Sequence, residues 1–387
     1  MENPTSRQKP GLYIHVPFCL TKCPYCDFYS VASSESRMEE YVSQTCRLLR
    51  GLQAEFPGFQ PDTLYLGGGT PSVLGEKKLL QILETAISVF NIPSDGEITM
   101  EANPGTVSLP MLCSLKKGGF NRISYGIQSA VPSELAFLGR KHSAKESLEA
   151  VQWAAQAGFK HISLDLMLGL AEQTEESLSR SLDFCADSPA DHLSAYLLKI
   201  EPNTLFARRN VQSLCPDDDR QADLYLSAVK GLAERGFRQY EISNFARNGQ
   251  YAVHNLKYWN GDEYLGLGPG AHSFWQGRRY SIPRDLKGWI SAPSLKEAWV
   301  DEGTGGSLEE YLMLRFRLTE GVQAESLKFR YPASAPYWEK LCRKALPFQK
   351  AGLLKVSSDP DEGFIAFTPK GFLVSNQLIG ELLSVLE

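Results

Sequence analysis

Short runs of apolar, β-branched or aromatic residues recur along the chain, each followed by a polar turn and a stretch with helical spacing of its apolar positions. The runs at 12–16, 63–66, 97–101, 122–127, 161–167 and 193–200 read as strands. Helical patterns occupy 36–55, 76–90, 108–117, 143–157, 174–185 and 217–235. Ser143 with Glu146 three positions later forms a capping-box pattern, and Thr174 with Ser177 a weaker one. Six βα units in tandem predict an α/β fold with a parallel sheet and helices outside. We expect a partial (β/α)6 TIM-like barrel. The pattern also admits an open doubly wound sheet. In both, function-bearing residues belong at the carboxyl ends of the strands.

The alternation stops near residue 240. Residues 241–290 are rich in Gly, Trp, Tyr and His. Beyond 305 the run EEYLMLRFRL reads as amphipathic, and 351–356 and 364–368 flank the polar turn SSDPDEG as a small hairpin. The expected organisation is a barrel over 1–240, a connecting segment over 241–300, and a small α+β, winged-helix-like domain over 301–387. Apart from the βα alternation there is no repeat.

Chemistry-bearing residues fall where the strands end. Cys19, Cys23 and Cys26, in HVPFCLTKCPYCDFYS, follow the first strand with C-x3-C-x2-C spacing. Gly67-Gly68-Gly69-Thr70-Pro71 follows the second, Glu101-Ala102-Asn103-Pro104-Gly105 ends the third, Gln128 ends the fourth, and Asp165 lies on the fifth. Thiolates bind soft metals, and three of them leave one metal position without a protein ligand. In a [4Fe–4S] cluster that leaves one iron open to an external ligand. Two other readings stand beside it: zinc held by the three cysteines and His15, and a Cys-Pro-Tyr-Cys redox pair. The loop alone fits both less well.

Composition narrows the class. The chain has 387 residues, 43% hydrophobic, with a net charge of −5. That is ample for a sizeable core and gives no general nucleic-acid footprint. The other five cysteines are isolated and read mostly as small buried hydrophobes. MENPTSRQKP has no apolar core, and no run of 18 apolar residues exists, so neither a leader nor a membrane span is expected. A reducing, cytoplasmic compartment follows, which suits a thiolate-held cluster.

Three consecutive glycines favour close approach of a ligand over an ordinary turn, and Thr70-Pro71 suits the start of the next helix. Glu101 and Asp165 are carboxylates on apolar strands, costly to bury unless paired. They read as contacts to ligand hydroxyls or to a cationic ligand, or as ion pairs with Arg122 or Arg140. Gln128 and Arg140 supply donors. Tyr13 and Tyr25 flank the cysteine loop.

The cysteine spacing resembles the radical S-adenosylmethionine (SAM) superfamily. The set Tyr-x-His-x-Pro-Phe-Cys, Gly-Gly-Gly-Thr-Pro, Glu-Ala-Asn-Pro, Gly-Ile-Gln-Ser, Gly-Arg-x-His and Asp-Leu-Met-Leu-Gly-Leu resembles its oxygen-independent coproporphyrinogen III oxidase family over nearly the whole chain. The resemblance implies that Cys19, Cys23 and Cys26 ligate a [4Fe–4S] cluster. It implies that Tyr13, Tyr25, Gly68, Gly69, Thr70, Glu101, Gln128, Arg140, Asp165 and Met167 line a SAM site. The oxidases carry a fourth cysteine where this chain has Phe28, and a longer arm before the cluster. Both departures are similar to the haem-chaperone branch, as is His254-Asn255-Leu256-Lys257-Tyr258-Trp259, which matches that branch's His-Asn-x-x-Tyr-Trp motif. Ala171-Glu172-Gln173 departs from the family's usual Pro-x-Gln.

By that resemblance His254 is the expected haem ligand, with His272 a rival and Cys215 a weaker third. The resemblance implies a protein that binds haem and passes it to an acceptor protein, with its cluster and SAM regulating transfer or dimerisation. Oxidative decarboxylation of a porphyrinogen is the alternative. A homodimer and a peripheral membrane contact stay open.

Overall fold

A computed structural model describes residues 9–386. The run read for a leader lies outside them, apart from Lys9 and Pro10. Twelve strands form one sheet in the order β12-β11-β10-β9-β1-β2-β3-β4-β5-β6-β8-β7. The first six are β1 (Gly11–Val16), β2 (Thr63–Gly68), β3 (Glu97–Ala102), β4 (Arg122–Gln128), β5 (His161–Leu168) and β6 (His192–Leu197). They pair in parallel and in sequence. The helices Glu35–Glu55, Glu76–Phe90, Leu109–Gly118, Ala144–Gln156 and Glu175–Ala186 connect them. Both expected capping boxes are present, at Ser143–Glu146 and Thr174–Ser177. The sixth strand ends at Leu197, three residues short of its apolar run.

Alternation within the strands sorts the two faces. Leu12, Ile14, Leu64, Leu66, Ile123 and Leu164 are fully buried in the apolar core. The intervening positions carry hydroxyls and charges that meet one another across the inner face: Tyr65 with Glu101, Ser124 with Asp165, and Ser163 with His192. Tyr196, on the sixth strand, lies within electrostatic reach of Glu101 on the third. The sheet therefore curls around a polar lumen, as a partial barrel does.

The segment 241–300 is more than a connector. At the sixth-strand edge the short strand β8 (Asn244–Ala246) pairs antiparallel with β6, and β7 (Arg238–Gln239) pairs antiparallel with β8. At the other edge β9 (Tyr264–Leu267) pairs in parallel with β1. The hairpin strands β10 (His272–Trp275) and β11 (Arg278–Ser281), then β12 (Val300–Thr304), continue the sheet. Beyond it, β13 (Val322–Gln323), β14 (Leu354–Ser357) and β15 (Phe364–Phe367) make a separate three-stranded sheet, with the expected hairpin in its place.

The helix Val253–Asn260, which carries the His-Asn-x-x-Tyr-Trp run, closes the amino end of the barrel. The Glu97 carboxylate accepts from the first backbone amides, Val253 N at 2.8 Å and His254 N at 3.0 Å, as an acidic group at a helix amino terminus should. Arg122 stands 3.9 Å from the same carboxylate. His254 is 1% exposed. Its Nδ1 meets Thr63 Oγ1 at 2.8 Å and its Nε2 meets Tyr258 Oη at 2.8 Å, and its ring stacks on Tyr65. Burial holds its pKa down at about 3. A Cβ added at Gly11 would lie 3.0 Å from the imidazole.

We expect His254→Ala to cost about 3–5 kcal/mol in urea unfolding, from a cavity plus two orphaned hydroxyls. The native imidazole refuses a proton that the unfolded chain accepts below about pH 6.5, so it makes stability fall as pH drops from there toward about 3. The variant should lose that part of the acid slope; an unchanged slope and midpoint would sink this account.

Candidate functional site

The in-register pairing of Val16 with Gly68 makes the cysteine loop and the glycine run leave the sheet side by side. The loop is closed at its neck: Val31 N donates to Pro17 O at 2.8 Å and Cys19 N to Val31 O at 3.3 Å. Inside it, Cys26 N donates to Cys23 O at 3.1 Å. His15 braces the loop from the lumen. Its Nε2 must donate to Tyr29 O, 2.9 Å away, because a carbonyl only accepts; Nδ1 then accepts from Tyr13 Oη at 3.1 Å. Both nitrogens are committed, so His15 is not a spare metal ligand.

Cys19, Cys23 and Cys26 are free and half-buried. Burial raises the Cys26 thiol pKa, the backbone contact at Phe28 opposes it, and the neighbouring Cys23 and Cys19 raise it further. The three sulfurs thus share one neighbourhood. Among the described residues no three His, Cys, Asp or Glu side chains converge tightly enough for a single ion. A four-iron cube takes each cysteine on a different iron and needs no such convergence. Phe28, at the fourth-cysteine position, is 67% exposed. The donor set fits a cluster: three thiols at a half-open mouth, Cys23 accepting from Arg140 at 3.4 Å and Cys19 lying 3.4 Å from the Thr70 hydroxyl.

The glycine run has an internal explanation. A Cβ at Gly67 would fall 2.7 Å from the Tyr65 ring, one at Gly68 2.4 Å from the His15 ring, and one at Gly69 2.6 Å from Phe18 O. Protein packing leaves no room for a side chain at any of the three. Thr70 also differs from expectation. It precedes a short 3-10 turn, Pro71–Leu74, and makes no capping bond. Its hydroxyl faces Cys19 and Asn103 instead.

Glu101 and Asp165 line the lumen beneath the loop. Glu101 accepts from Tyr65 Oη at 2.7 Å and Gly68 N at 3.0 Å; Asp165 accepts from Ser124 Oγ at 3.2 Å. The expected ion pairs are not made: Arg122 serves Glu97 and Tyr251 O, and Arg140 serves Cys23, Asn103 and Gly126 O. Burial pushes Glu101 up to about 7 and Asp165 up to about 6. Carboxyl groups so placed are chemically able to take a cation or hydroxyl donors. Gln128 holds a left-handed backbone, φ 66°, at a β-bulge in the fourth strand. Such strain in a non-glycine residue is concentrated at functional sites. Tyr25 and Met167 pack together in a small apolar cluster with Leu138 and Phe206, and Cys215 lies against it.

The structure separates the candidate histidines. His254 lies at the amino end of the barrel, buried, with both nitrogens hydrogen-bonded to hydroxyls, so it does not face the mouth where the cysteine loop stands. His272 opens the tenth strand, opposite Gly266 in antiparallel register and on the lumen side with Tyr13. It is exposed, and it influences His15 electrostatically. Sequence reasoning missed Asn103 as a site residue, though its motif was in view.

The sequence matches the Radical SAM superfamily over residues 13–185. It is 38% identical to heme chaperone HemW of Escherichia coli strain K12, over 81% of this chain and 83% of that protein. The chain belongs to the HemW family of radical SAM proteins. Another member, heme chaperone HemW of Bacillus subtilis strain 168, is 33% identical over 97% of this chain and 99% of its own length. Radical S-adenosyl methionine domain-containing protein 1, mitochondrial, of Bos taurus is 37% identical over 98% of this chain and 87% of its own. Among solved structures, coproporphyrinogen III oxidase HemN of Escherichia coli superposes with a TM-score of 0.82 at 22% identity, covering 99% of this chain and 91% of that one. That likeness establishes the partial-barrel fold. Among the described residues no helix is long and apolar enough to cross a membrane.

Raised carboxyls give a pH test. Between about pH 4.5 and 7 the native Glu101 keeps a proton that the unfolded chain releases, so its contribution to stability falls as pH rises through that window. Glu101→Gln removes this slope. Relative to wild type, the metal-free variant should gain stability from about pH 5 to 7 in urea unfolding; parallel profiles would refute the assignment.

Proposed function

We propose that this chain binds haem and passes it to an acceptor protein. We further propose that Cys19, Cys23 and Cys26 hold a [4Fe–4S] cluster beside a SAM site. The reading is carried by extended identity to proteins named heme chaperone HemW, at 31–38% over 81–100% of the chain. The oxidase alternative has only a shared fold behind it, and Phe28 stands where that family has a cysteine. When bound, the cluster supplies the electron that cleaves SAM. The side chains around it position and shield that chemistry. Glu101 and Asp165 suit the ribose hydroxyls or the cationic portion of SAM, and Tyr13, Gly68, Gly69 and Gln128 shape the space between them. Tyr25 and Met167 form its apolar wall, beside the Cys23 side of the loop.

His272 is the haem ligand we favour at the mouth. A Cβ at neighbouring Gly270 would lie 3.3 Å from Tyr29 Cβ and 3.7 Å from Arg284 Cγ, so the histidine turn rests on the cysteine loop and on a basic residue. Arg284 is paired only loosely, at 3.4 Å from Asp27, and is largely exposed. An imidazole, an exposed Phe28 ring and a guanidinium match iron, macrocycle and propionate in kind.

Anaerobically reconstituted protein should carry four irons and four sulfides per chain, and should bind haem at one per chain in an absorbance titration. Cys23→Ala should lose the iron and sulfide. His272→Ala should weaken haem binding at least tenfold and shift the Soret band. Haem binding unchanged in His272→Ala would remove the ligand assignment, and the absence of stoichiometric haem in the wild type would remove the function.

A further inference from the structure

Two of the three loop sulfurs are joined by one unbroken chain of hydrogen bonds. Arg140 Nη1 donates to Cys23 Sγ at 3.4 Å. Arg140 Nη2 donates to Asn103 Oδ1 at 2.6 Å and to Gly126 O. Asn103 Nδ2 donates to Thr70 Oγ1 at 3.1 Å, and Thr70 Oγ1 stands 3.4 Å from Cys19 Sγ.

The direction of the chain is fixed by chemistry. A guanidinium has donors only, so the atom of Asn103 facing it must be the carbonyl oxygen. The amide nitrogen then faces Thr70 and uses an acceptor site of its hydroxyl. Toward a metal-bound Cys19 thiolate, which can only accept, the hydroxyl supplies its proton. Each end of the chain therefore presents a donor to a sulfur, and one of those donors carries a full positive charge. Among the described residues Arg140 makes no ion pair with a carboxylate. Asn103 touches neither sulfur, yet it orients both donors.

We propose that Asn103 is a positioning residue that raises the reduction potential of the cluster, by aiming Arg140 at Cys23 and Thr70 at Cys19. This rests on the cluster reading above and adds to it a means of control. Adding one electron to a thiolate-held cluster increases negative charge on its sulfurs, so donors aimed at those sulfurs stabilise the reduced form more than the oxidised form. The charge-assisted bond from Arg140 is the stronger of the two.

The test is an anaerobic redox titration of the full-length, reconstituted protein without SAM, followed by electron paramagnetic resonance of the reduced cluster. Iron and sulfide are counted on each sample. Asn103→Leu keeps the volume and removes the orienting amide. At a fixed applied potential it should lower the ratio of reduced to oxidised cluster at least tenfold, a fall of about 59 mV for one electron. Thr70→Val should shift in the same direction by less, and Thr70→Ser, which keeps the hydroxyl, should titrate with the wild type. If one variant fails to hold a cluster, the other decides. Unchanged midpoints in clusters of full iron and sulfide content would overturn the proposal. Loss of the cluster from both variants would also overturn it, making the chain a scaffold for assembly. A wild-type protein without iron and sulfide would instead fail the cluster reading itself.

Discussion

The register between the first two strands is the constraint on which the rest depends. Parallel pairing sets Val16 beside Gly68, and the ladder then runs past the strand ends: Gly69 N donates to Val16 O at 2.9 Å and Thr70 N to Phe18 O at 2.7 Å. That extension fixes Thr70 against Cys19. It also forces Gly69 against Phe18 O, where any side chain would collide with backbone. A slip of one residue would turn every side chain to the other face of the sheet, and would exchange His15 and Tyr65 for Ile14 and Leu66 in the lumen. The cysteine loop, its histidine brace and the threonine donor therefore stand or fall together.

Much of the fold was legible because the parallel strands and their helices carry strong periodicity over long stretches. The helix Glu76–Phe90 lies where its pattern ran from end to end. What was not legible lies beyond residue 240. Strands of two to five residues, such as Asn244–Ala246 and Tyr264–Leu267, are too short to show a period, and each is stabilised by the sheet edge it joins. Ala246 pairs with His192 and Tyr264 with Gly11, so local sequence does not contain those edges. The small C-terminal hairpin was legible because a polar turn separates two apolar runs of matched length.

At the site, residue types were easier to read than their uses. Cysteine spacing identified a loop, and strand-end position gathered Glu101, Gln128 and Asp165 near it. The glycines were attributed to a ligand because nothing in the sequence shows that His15 and Phe18 crowd them. His254 was attributed to haem by the match of its motif to the haem-chaperone branch, which says nothing of its burial. Its surroundings, Thr63 and Tyr258, come from a strand start and from its own helix, and only the folded chain brings them to both nitrogens. Asn103 escaped notice because an amide is neither a nucleophile nor a usual metal ligand. Its importance lies in two contacts made through space.

The two ends of the lumen treat buried polarity differently, and that difference locates the chemistry. At the amino end Glu97 meets two amides and Arg122, and His254 meets two hydroxyls, while Arg122 Nη2 stays without a hydrogen-bond partner. These buried bonds form without any ligand and give rigidity. At the carboxyl end Glu101 and Asp165 meet hydroxyls and an amide but form no ion pair, and both are held near neutrality in their proton affinity. Tyr196 keeps 42% of its surface open to the same space. A folded chain tolerates incompletely matched carboxyls when the stability gained elsewhere offsets them, and the closed amino end is where this barrel gains it. The motif helix at the amino end and the cysteine loop at the carboxyl end are then two parts of one arrangement. The first is bonded wholly within the chain, and the second faces the lumen, whose carboxyls form no ion pair.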